Sequence, residues 1–167
     1  MLFIEAYAAS QYWQLLGKFL PAPFQFTNRV KKKPSDGFNA CINYLYGMLR
    51  NQVETALLSI GLDPALGIMH RDGYKLPSLV FDLMEPFRPV IDRLLLTAIL
   101  QGAFAEDSVQ IKDDSLLITK VGRKQIIELF VKKLHTRTWY RGTLTTLNNH
   151  ILTEAKQLAN TIKEFDR

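Results

Sequence analysis

The sequence predicts an all-α protein: a multi-helix lobe around one long central helix, with one short β-hairpin near residues 108–119. Three observations lead to this class. Apolar residues recur at three- and four-residue steps through most of the 167 residues, which is the helical period. Between residues 38 and 60 the apolar stripe is broad, which indicates a helix buried on most of its surface. Only residues 108–119 carry two short β-prone runs, placed on either side of an Asp-Asp pair.

The helices can be placed in order along the chain. The predicted spans are residues 2–20, 38–60, a helix from 78 onward, 122–134 and 143–165. Pro21 ends the first helix and Gly61 ends the second. Ser78 is the expected N-cap of the third helix, which Pro86 and Pro89 should interrupt or kink. No repeat or linker is visible, so we expect one domain over residues 1–167.

Composition narrows the choice of partner and compartment. A net charge of +5 and a pI near 9.4 favour an anionic partner, with nucleic acid first among the candidates. The single cysteine, Cys41, excludes an intrachain disulfide and fits the core better than a nucleophile. No apolar run reaches the roughly 20 residues of a membrane helix, and no signal-peptide pattern begins the chain. We therefore expect a cytoplasmic protein without membrane contact.

The segment between His70 and Pro89 holds the residues with the clearest chemical meaning. Asp82 and Glu85 are three residues apart on a predicted helix, so both carboxylates project from one side. Their neighbours are mostly apolar, and two like charges on a buried segment need a cation or raised pKa values. A divalent metal would satisfy that need, with His70 as a nitrogen ligand. The alternative is that Arg88 pairs with Glu85 and that His70 is a solvated or hydrogen-bonded turn residue.

Other polar residues on the predicted helices have simpler interpretations. Glu5 lies among small and apolar neighbours, and it is either exposed by fraying of the chain start or a ligand that reaches a site. The residues alone favour fraying. Glu54 follows Arg50 by four residues, the spacing of a surface ion pair, so we discount it as a ligand. Tyr46 and Asn43 carry polar tips on the central helix, where packing is the favoured role.

Basic residues cluster in three places. The connection between the first two helices contains Arg29, Lys31, Lys32 and Lys33, which predicts a solvated, mobile loop that can also contact phosphates. The helix over 122–134 carries Arg123 and Lys124, and a helix-turn-helix regulator over 122–163 is an alternative with little else in its favour. Residues 137–141 mix basic and aromatic groups, for which interhelix packing is slightly favoured.

Several motifs within residues 2–104 resemble the CRISPR-associated spacer-acquisition integrase family, also called CRISPR-associated endonucleases. The closest matches are GLDPALGIMH at 61–70, PSL at 77–79 and DLMEPFRP at 82–89. FNA at 38–40 and NYLYG at 43–47 are similar to the family's central helix. IEA at 4–6 and YW at 12–13 are similar to the helix that bears its first metal ligand. These independent motifs stand in the family's order, which makes the resemblance specific.

The resemblance implies one manganese or magnesium ion, held by a glutamate, a histidine and a further acidic residue. Carried over position by position, these ligands are Glu5, His70 and Glu85, with Asp82 as a supporting carboxylate. The interpretation of Glu5 therefore changes from a frayed end to a ligand. One imidazole with carboxylates and waters suits Mn²⁺ or Mg²⁺ better than structural zinc. The family commonly has glycine after the first glutamate, where this chain has Ala6.

The resemblance also implies phosphodiester chemistry on DNA. A 3′-hydroxyl of a short DNA fragment would attack a phosphate at a repeat boundary, and water in its place would give nuclease activity. His70 would ligate the metal and could assist proton transfer, while Tyr46, Lys75 and Arg88 would stabilise phosphate charge. Arg88 could instead only orient Glu85. The basic residues named above would contact the DNA backbone without reading its sequence.

The implied partners are double-stranded DNA, as prespacer and repeat, and the small ferredoxin-like nuclease-fold protein of the acquisition complex. Family members usually carry an N-terminal β-rich domain that mediates a homodimer, and here Glu5 almost begins the chain. We therefore expect a C-terminal catalytic lobe or a truncated variant, to which the homodimer does not simply carry over. The alternative function is a catalytically inactive truncated relative that acts as a helical DNA-binding or scaffold module.

Overall fold

The computed structural model describes residues 2–67, 77–104, 106–112 and 115–165, and for residues 2–6, 106, 112, 115 and 165 the description is of the backbone. The α-helices and strands of these residues are α1 (Leu2–Gly17), α2 (Gly37–Ser59), α3 (Ser78–Met84), α4 (Arg88–Leu100), β1 (Val109–Lys112), β2 (Ser115–Ile118), α5 (Lys120–His135), β3 (Arg137–Tyr140), β4 (Thr143–Thr146) and α6 (Leu147–Phe165). Short 3-10 turns cover Glu85–Phe87 and Glu106–Ser108. The predicted helical class with one short hairpin is confirmed. The structure also contains a second hairpin, β3–β4.

The chain forms two compact units. Unit 1 comprises Met1–Leu45 and Ile91–Leu129, and unit 2 comprises Tyr46–Val90 and Phe130–Arg167. All three boundaries between the units fall inside helices, namely α2, α4 and α5. A boundary between independent domains is expected in an exposed linker rather than within a helix. A single domain over residues 1–167 therefore stays our prediction.

The long helix predicted at the centre of the fold is α2, and its apolar stripe is buried. The stripe side chains that are 0% exposed are Phe38, Ile42, Leu45, Leu49, Val53 and Leu57. Burial of a side chain of this size contributes roughly 1.5–3 kcal/mol relative to exposure. After Ser59 the chain turns at Gly61, whose φ is +82°, and the Leu62 N–H donates to the Leu57 carbonyl at 3.1 Å. The predicted stop at Gly61 is confirmed.

The end of α1 and the start of α3 differ from the prediction. α1 ends at Gly17 rather than residue 20, and the chain continues through turns in which the Lys18 N–H donates to the Leu15 carbonyl at 3.3 Å. Glycine is needed at this end, since a Cβ on Gly17 would lie 2.2 Å from the Phe26 carbonyl oxygen. Pro77 rather than Ser78 occupies the N-cap of α3, with no side-chain capping bond. Ser78 is already helical and only 1% exposed, so burial in the first turn replaces the expected cap.

The proline-rich segment after α3 behaves as predicted. The helix gives way to the 3-10 turn Glu85–Phe87, which contains Pro86, and α4 then begins at Arg88. Pro89 lies in the first turn of α4, where a missing backbone N–H costs little. The interruption therefore lies directly at Glu85, one of the predicted site residues.

The hairpin predicted near residues 108–119 is β1–β2, paired antiparallel with Val109 opposite Ile118. It packs tightly against the start of α5, since a Cβ on Gly122 would lie 2.1 Å from the Ser108 carbonyl oxygen. Ser108 is 0% exposed, and its hydroxyl donates to Gln125 at 2.7 Å. The absence of a side chain at Gly122 therefore allows this hairpin and α5 to meet.

The second hairpin, β3–β4, was not predicted. Arg137 pairs with Thr146 and Tyr140 with Thr143, across a two-residue turn of Arg141 and Gly142. Both turn residues have positive φ, +47° and +76°, as a two-residue hairpin turn with the strand twist requires. The last helix therefore begins at Leu147 rather than at residue 143. The signal was present in β-prone Thr, Trp and Tyr on either side of Arg-Gly, but glycine at the first turn position was missing.

Two inferences from composition can also be checked. Cys41 is 0% exposed, and burial, followed by the nearby Asp36 carboxylate, raises the pKa of its thiol to about 12. The thiol therefore stays protonated and out of reach, which confirms the prediction of a core residue. Of the helices that the structure describes, none is long and apolar enough to cross a membrane.

Candidate functional site

The acidic segment lies on α3 and the 3-10 turn after it, both in unit 2. Asp82 is 8% exposed, among the buried side chains of α3. The Glu85 side chain is 43% exposed, although its backbone keeps helical dihedral angles, φ −52° and ψ −47°, at the start of the 3-10 turn. The prediction that both carboxylates lie on a buried segment is therefore right for Asp82 and wrong for Glu85.

Glu85, Arg88 and Tyr46 form one cluster. Arg88 Nε lies 3.0 Å from Glu85 Oε1, and the Arg88 guanidinium carbon lies 4.9 Å from the centroid of the Tyr46 ring. The Arg88 side chain is 24% exposed, so the cation is partly withdrawn from water. A partly exposed pair of this kind contributes at most about 1 kcal/mol to stability, but the ring and the carboxylate together orient the guanidinium. The predicted Glu85–Arg88 pairing is confirmed.

Asp82 lines a cavity of about 380 Å³ together with residues of the second hairpin and α6. On the opposite side lie Arg141 and Glu154, joined by contacts of 3.1 Å from Arg141 Nη1 to both carboxylate oxygens. No sequence pattern pointed to Glu154 as a site residue. Arg141 and Glu154 are 13 residues apart, and Arg141 lies in the turn of a hairpin that was not predicted. No local sequence spacing therefore indicates this pair.

Three predicted site residues have no described side chain. Glu5 lies on α1, where the description is of the backbone, and His70 and Lys75 fall outside the described residues. Among the side chains that are described, no three of His, Cys, Asp or Glu gather as a metal-ligand group. The ligand set of Glu5, His70, Glu85 and Asp82 therefore stays a prediction.

In unit 1, the predicted phosphate-contacting loop is tied to α2 through Arg29. Its Nη1 donates to Asn39 Oδ1 at 2.9 Å, and its Nη2 donates to Asn43 Oδ1 at 2.6 Å. Asn43 Nδ2 in turn donates to the carbonyls of Val30 at 3.1 Å and Lys31 at 3.2 Å. Arg29 therefore acts within the fold, and its predicted contact with DNA stays untested. Asn43 has a polar positioning role rather than simple packing.

Asn39 is the centre of this network and is 0% exposed. Its Oδ1 also accepts the Val30 N–H at 2.9 Å, while its Nδ2 donates to the Asn28 carbonyl at 2.9 Å and to Asp36 Oδ2 at 2.8 Å. Asp36 Oδ1 accepts the Asn39 N–H at 2.7 Å, which caps α2. Asn39 therefore anchors the backbone of the loop to α2 at Asn28 and at Val30.

The three lysines of the loop point to solvent. Lys31, Lys32 and Lys33 are exposed, and Lys33 has a φ of +45°. Just beyond them, the Pro34 carbonyl accepts the Leu116 N–H at 2.7 Å. Three cations on an anchored loop form a positive surface of the kind that contacts phosphates. We call this surface the lysine loop.

The other predicted DNA-contacting residues lie on α5. Arg123 and Lys124 are both exposed. Arg123 Nε donates to the Ile118 carbonyl at 3.3 Å, and Lys124 Nζ lies 3.9 Å from Glu128. The Ile118 carbonyl is neutral, and the exposed Lys124–Glu128 pair is screened by solvent, so both residues keep their positive charge. The surface is available to phosphates, and its role in DNA binding stays a prediction.

Two alternatives raised by the sequence can be decided. Arg50 Nη2 lies 3.7 Å from Glu54 Oε2, which confirms the predicted surface ion pair. A helix-turn-helix over 122–163 is wrong, because strands β3 and β4 separate α5 from α6. Such a motif joins its helices by a turn of three or four residues.

The fold thus combines a mostly helical domain with an acidic segment and a separate lysine loop. The sequence model described as CRISPR associated protein Cas1 matches residues 1–132. The match covers most of the chain and includes Glu5, His70, Asp82 and Glu85. This chain belongs to the Cas1 family.

Individual relatives show how much of the family's length is represented. CRISPR-associated endonuclease Cas1 1 of Thermus thermophilus is 33% identical over 131 residues, which are 78% of this chain and 41% of the relative. The structure titled casposase bound to integration product has a TM-score of 0.85 at 28% identity, covering 95% of this chain and 48% of that one. A partial Cas6-RT-Cas1–Cas2 complex has a TM-score of 0.83 at 25% identity, covering 96% and 48%. This chain spans less than half the length of these relatives.

Proposed function

We propose that this chain is the catalytic lobe of a metal-dependent DNA endonuclease and integrase that inserts short DNA fragments into a repeat array. The observation that carries the proposal is the Glu85–Arg88–Tyr46 cluster beside the buried Asp82, inside the region that matches the Cas1 family. A relative named an endonuclease and a structural neighbour named with an integration product support the same chemistry. The inactive scaffold is the alternative, and the titration below decides between them.

The donor chemistry of these residues fits Mn²⁺ or Mg²⁺. Carboxylate oxygens from Glu5, Glu85 and Asp82 with one imidazole from His70 form a mixed oxygen and nitrogen set, without the thiolates that select zinc. Asp82 is buried beside a cavity, whereas the Glu85 side chain is accessible. The two described carboxylates therefore differ in their access to solvent. When bound, the metal would supply Lewis acidity at the phosphoryl oxygen and lower the pKa of the attacking hydroxyl or water.

The other proposed site residues would stabilise charge and transfer protons. Arg88, which contacts Glu85 and Tyr46, would stabilise negative charge on the phosphate, and Lys75 would add a second positive charge. His70 is a ligand and a candidate for proton transfer. In integration, the 3′-oxygen of the incoming strand forms the new bond to phosphorus, and the displaced 3′-oxygen of the repeat strand takes up a proton. Water as the nucleophile gives hydrolysis by the same exchange.

Double-stranded DNA is the proposed substrate, as prespacer and as repeat, and the lysine loop with Arg123 and Lys124 would contact its backbone. The proposed protein partner is the small ferredoxin-like nuclease-fold subunit, since a structural neighbour is named as a Cas1–Cas2 complex. The homodimer of the family is not part of the proposal.

Calorimetric titration with Mn²⁺ in the absence of DNA tests the enzyme against the scaffold. The wild-type chain is expected to release or absorb heat at about one site per chain, and His70→Ala is expected to lose most of that heat. Asn51→Ala on exposed α2 surface is the matched control and should titrate like wild type. No heat from the wild-type chain would favour the inactive scaffold.

The lysine loop should govern DNA binding through charge. Replacing Lys31, Lys32 and Lys33 together by alanine is expected to reduce the slope of log affinity against log salt by about 2 to 3, since each phosphate contact contributes about 0.9. Fluorescence anisotropy with a duplex at several salt concentrations measures this slope. The control replaces three other exposed lysines by alanine, namely Lys18, Lys156 and Lys163, which removes the same net charge. Equal slopes for the two triple variants would assign the effect to net charge alone.

A further inference from the structure

A buried carboxylate in unit 1 has no part in the proposed chemistry. Asp92 is 3% exposed on α4, whose other buried residues in this unit are apolar. A carboxylate removed from water costs several kcal/mol unless hydrogen bonds compensate. The Tyr12 hydroxyl of α1 donates to Asp92 Oδ2 at 2.9 Å, across 80 residues of sequence. This bond joins α1 directly to α4.

In the contact between Tyr12 and Asp92, the Tyr12 hydroxyl is the donor and the Asp92 carboxylate is the acceptor. Burial, then the charge of Asp92 and the hydrogen bond to it, raise the pKa of Tyr12 well above its usual range, so the phenol remains a donor at neutral pH. The Tyr12 ring meets the edge of Trp13 at a centroid distance of 4.9 Å. Trp13 in turn contacts Phe26 and Phe38 at 6.2 and 6.3 Å, edge to face. Residues 12 and 13 therefore anchor α1 in unit 1, one by a polar contact and one by aromatic packing.

The anchor bears on Glu5 through the helical period. Glu5 precedes Tyr12 by seven residues, which is close to two turns, so both positions lie on one side of α1. Any rotation or slide of α1 that breaks the Tyr12 bond displaces Glu5 as well. Asp92 follows Glu85 by seven residues, and α4 runs continuously from Arg88. The bond thus ties α1 to α4 within unit 1.

We infer that Tyr12 and Asp92 are positioning residues for Mn²⁺ binding, because their hydrogen bond sets the rotation and depth of α1 and thereby the position of Glu5. The inference rests on the proposed function, since it takes Glu5 as a ligand. Neither residue is assigned contact with the metal or with DNA. A positional error of about 1 Å at a ligand is enough to weaken binding markedly.

The test is the Mn²⁺ dissociation constant, measured by calorimetry and by electron paramagnetic resonance without DNA. Tyr12→Phe removes only the hydroxyl and is expected to weaken Mn²⁺ binding about tenfold, the lower end of the effect of outer-shell partners. Asp92→Asn keeps an oxygen acceptor for Tyr12 and is expected to stay within about threefold of wild type. Tyr7→Phe makes the same change on the same helix at a tyrosine that is 68% exposed, and should bind Mn²⁺ like wild type.

The outcomes separate this inference from the proposed function. A lower melting temperature for Tyr12→Phe with an unchanged Mn²⁺ dissociation constant would overturn the inference, because the bond would then serve stability alone. Glu5→Gln is measured in parallel. If Glu5→Gln weakens Mn²⁺ binding and Tyr12→Phe does not, only the positioning role fails. If Glu5→Gln itself binds Mn²⁺ like wild type, the proposed ligand set fails. Circular dichroism confirms that each variant keeps its helices.

Discussion

Replacing Glu5, His70 or Glu85 by alanine is expected to lower Mn²⁺-dependent cleavage of DNA by about a thousandfold or more while the fold survives. Each substitution removes one of the proposed donors, and the remaining ones cannot hold a divalent ion with the same geometry. At Glu85 the change also frees Arg88, which lies 3.0 Å from its carboxylate. Single-turnover cleavage of a branched DNA substrate over a range of Mn²⁺ concentrations measures the loss.

Glu54→Ala is the matched control for these variants. Its carboxylate lies on α2, 3.7 Å from Arg50 and 34% exposed, so its removal should leave cleavage within about twofold of wild type. Any one of the three substitutions that cleaves at the wild-type rate would remove that residue from the ligand set. If all three did so, the proposed function would lose its site.

Replacing Asn39 by alanine is expected to lower the free energy of unfolding by about 3 kcal/mol or more. Its side chain is 0% exposed and holds four hydrogen bonds, so the change leaves the Arg29 guanidinium, the Asp36 carboxylate and two backbone groups short of a partner. Urea unfolding followed by circular dichroism measures the difference. The same variant should bind DNA more weakly, because the lysine loop loses its anchor on α2.

Asn51→Ala is the control, since it makes the same substitution on the exposed face of α2. It should change the free energy of unfolding by no more than about 0.5 kcal/mol. A loss of less than about 1 kcal/mol for Asn39→Ala would mean that water replaces the lost bonds, and the loop would then not depend on this network.

Much of the fold could be predicted from local sequence patterns. The buried stripe of α2, the stop at Gly61, the break at Pro86 and the first hairpin follow from spacings of a few residues, which is the range over which helical and strand periods act. The Glu85–Arg88 pair was visible for the same reason, because residues three apart are neighbours on a helix. The second hairpin was missed since its turn carries Arg141 where glycine or asparagine is expected.

The sequence also predicted only some properties of the candidate site. Its residue types were identified by resemblance, and the match of residues 1–132 to the Cas1 family supports the resemblance itself. Which of them are buried could not be predicted, and neither could their contacts, apart from the Glu85–Arg88 pair. Asp82 and Glu85 lie three residues apart on one side of the predicted helix but differ in exposure, since Asp82 is buried and the Glu85 side chain is 43% exposed. Arg29 was predicted to face DNA, yet its donors bind Asn39 and Asn43.

By itself, the sequence determined the helical class, the central helix, the family and the residue types of the proposed metal site. These properties depend on periodicity, composition and short motifs, all of which are local along the chain. Only the tertiary structure decided that Tyr12 meets Asp92, that Arg141 meets Glu154 and that Asn39 anchors the lysine loop. Such contacts join residues that are not neighbours within one helix or strand, so no local spacing along the chain records them.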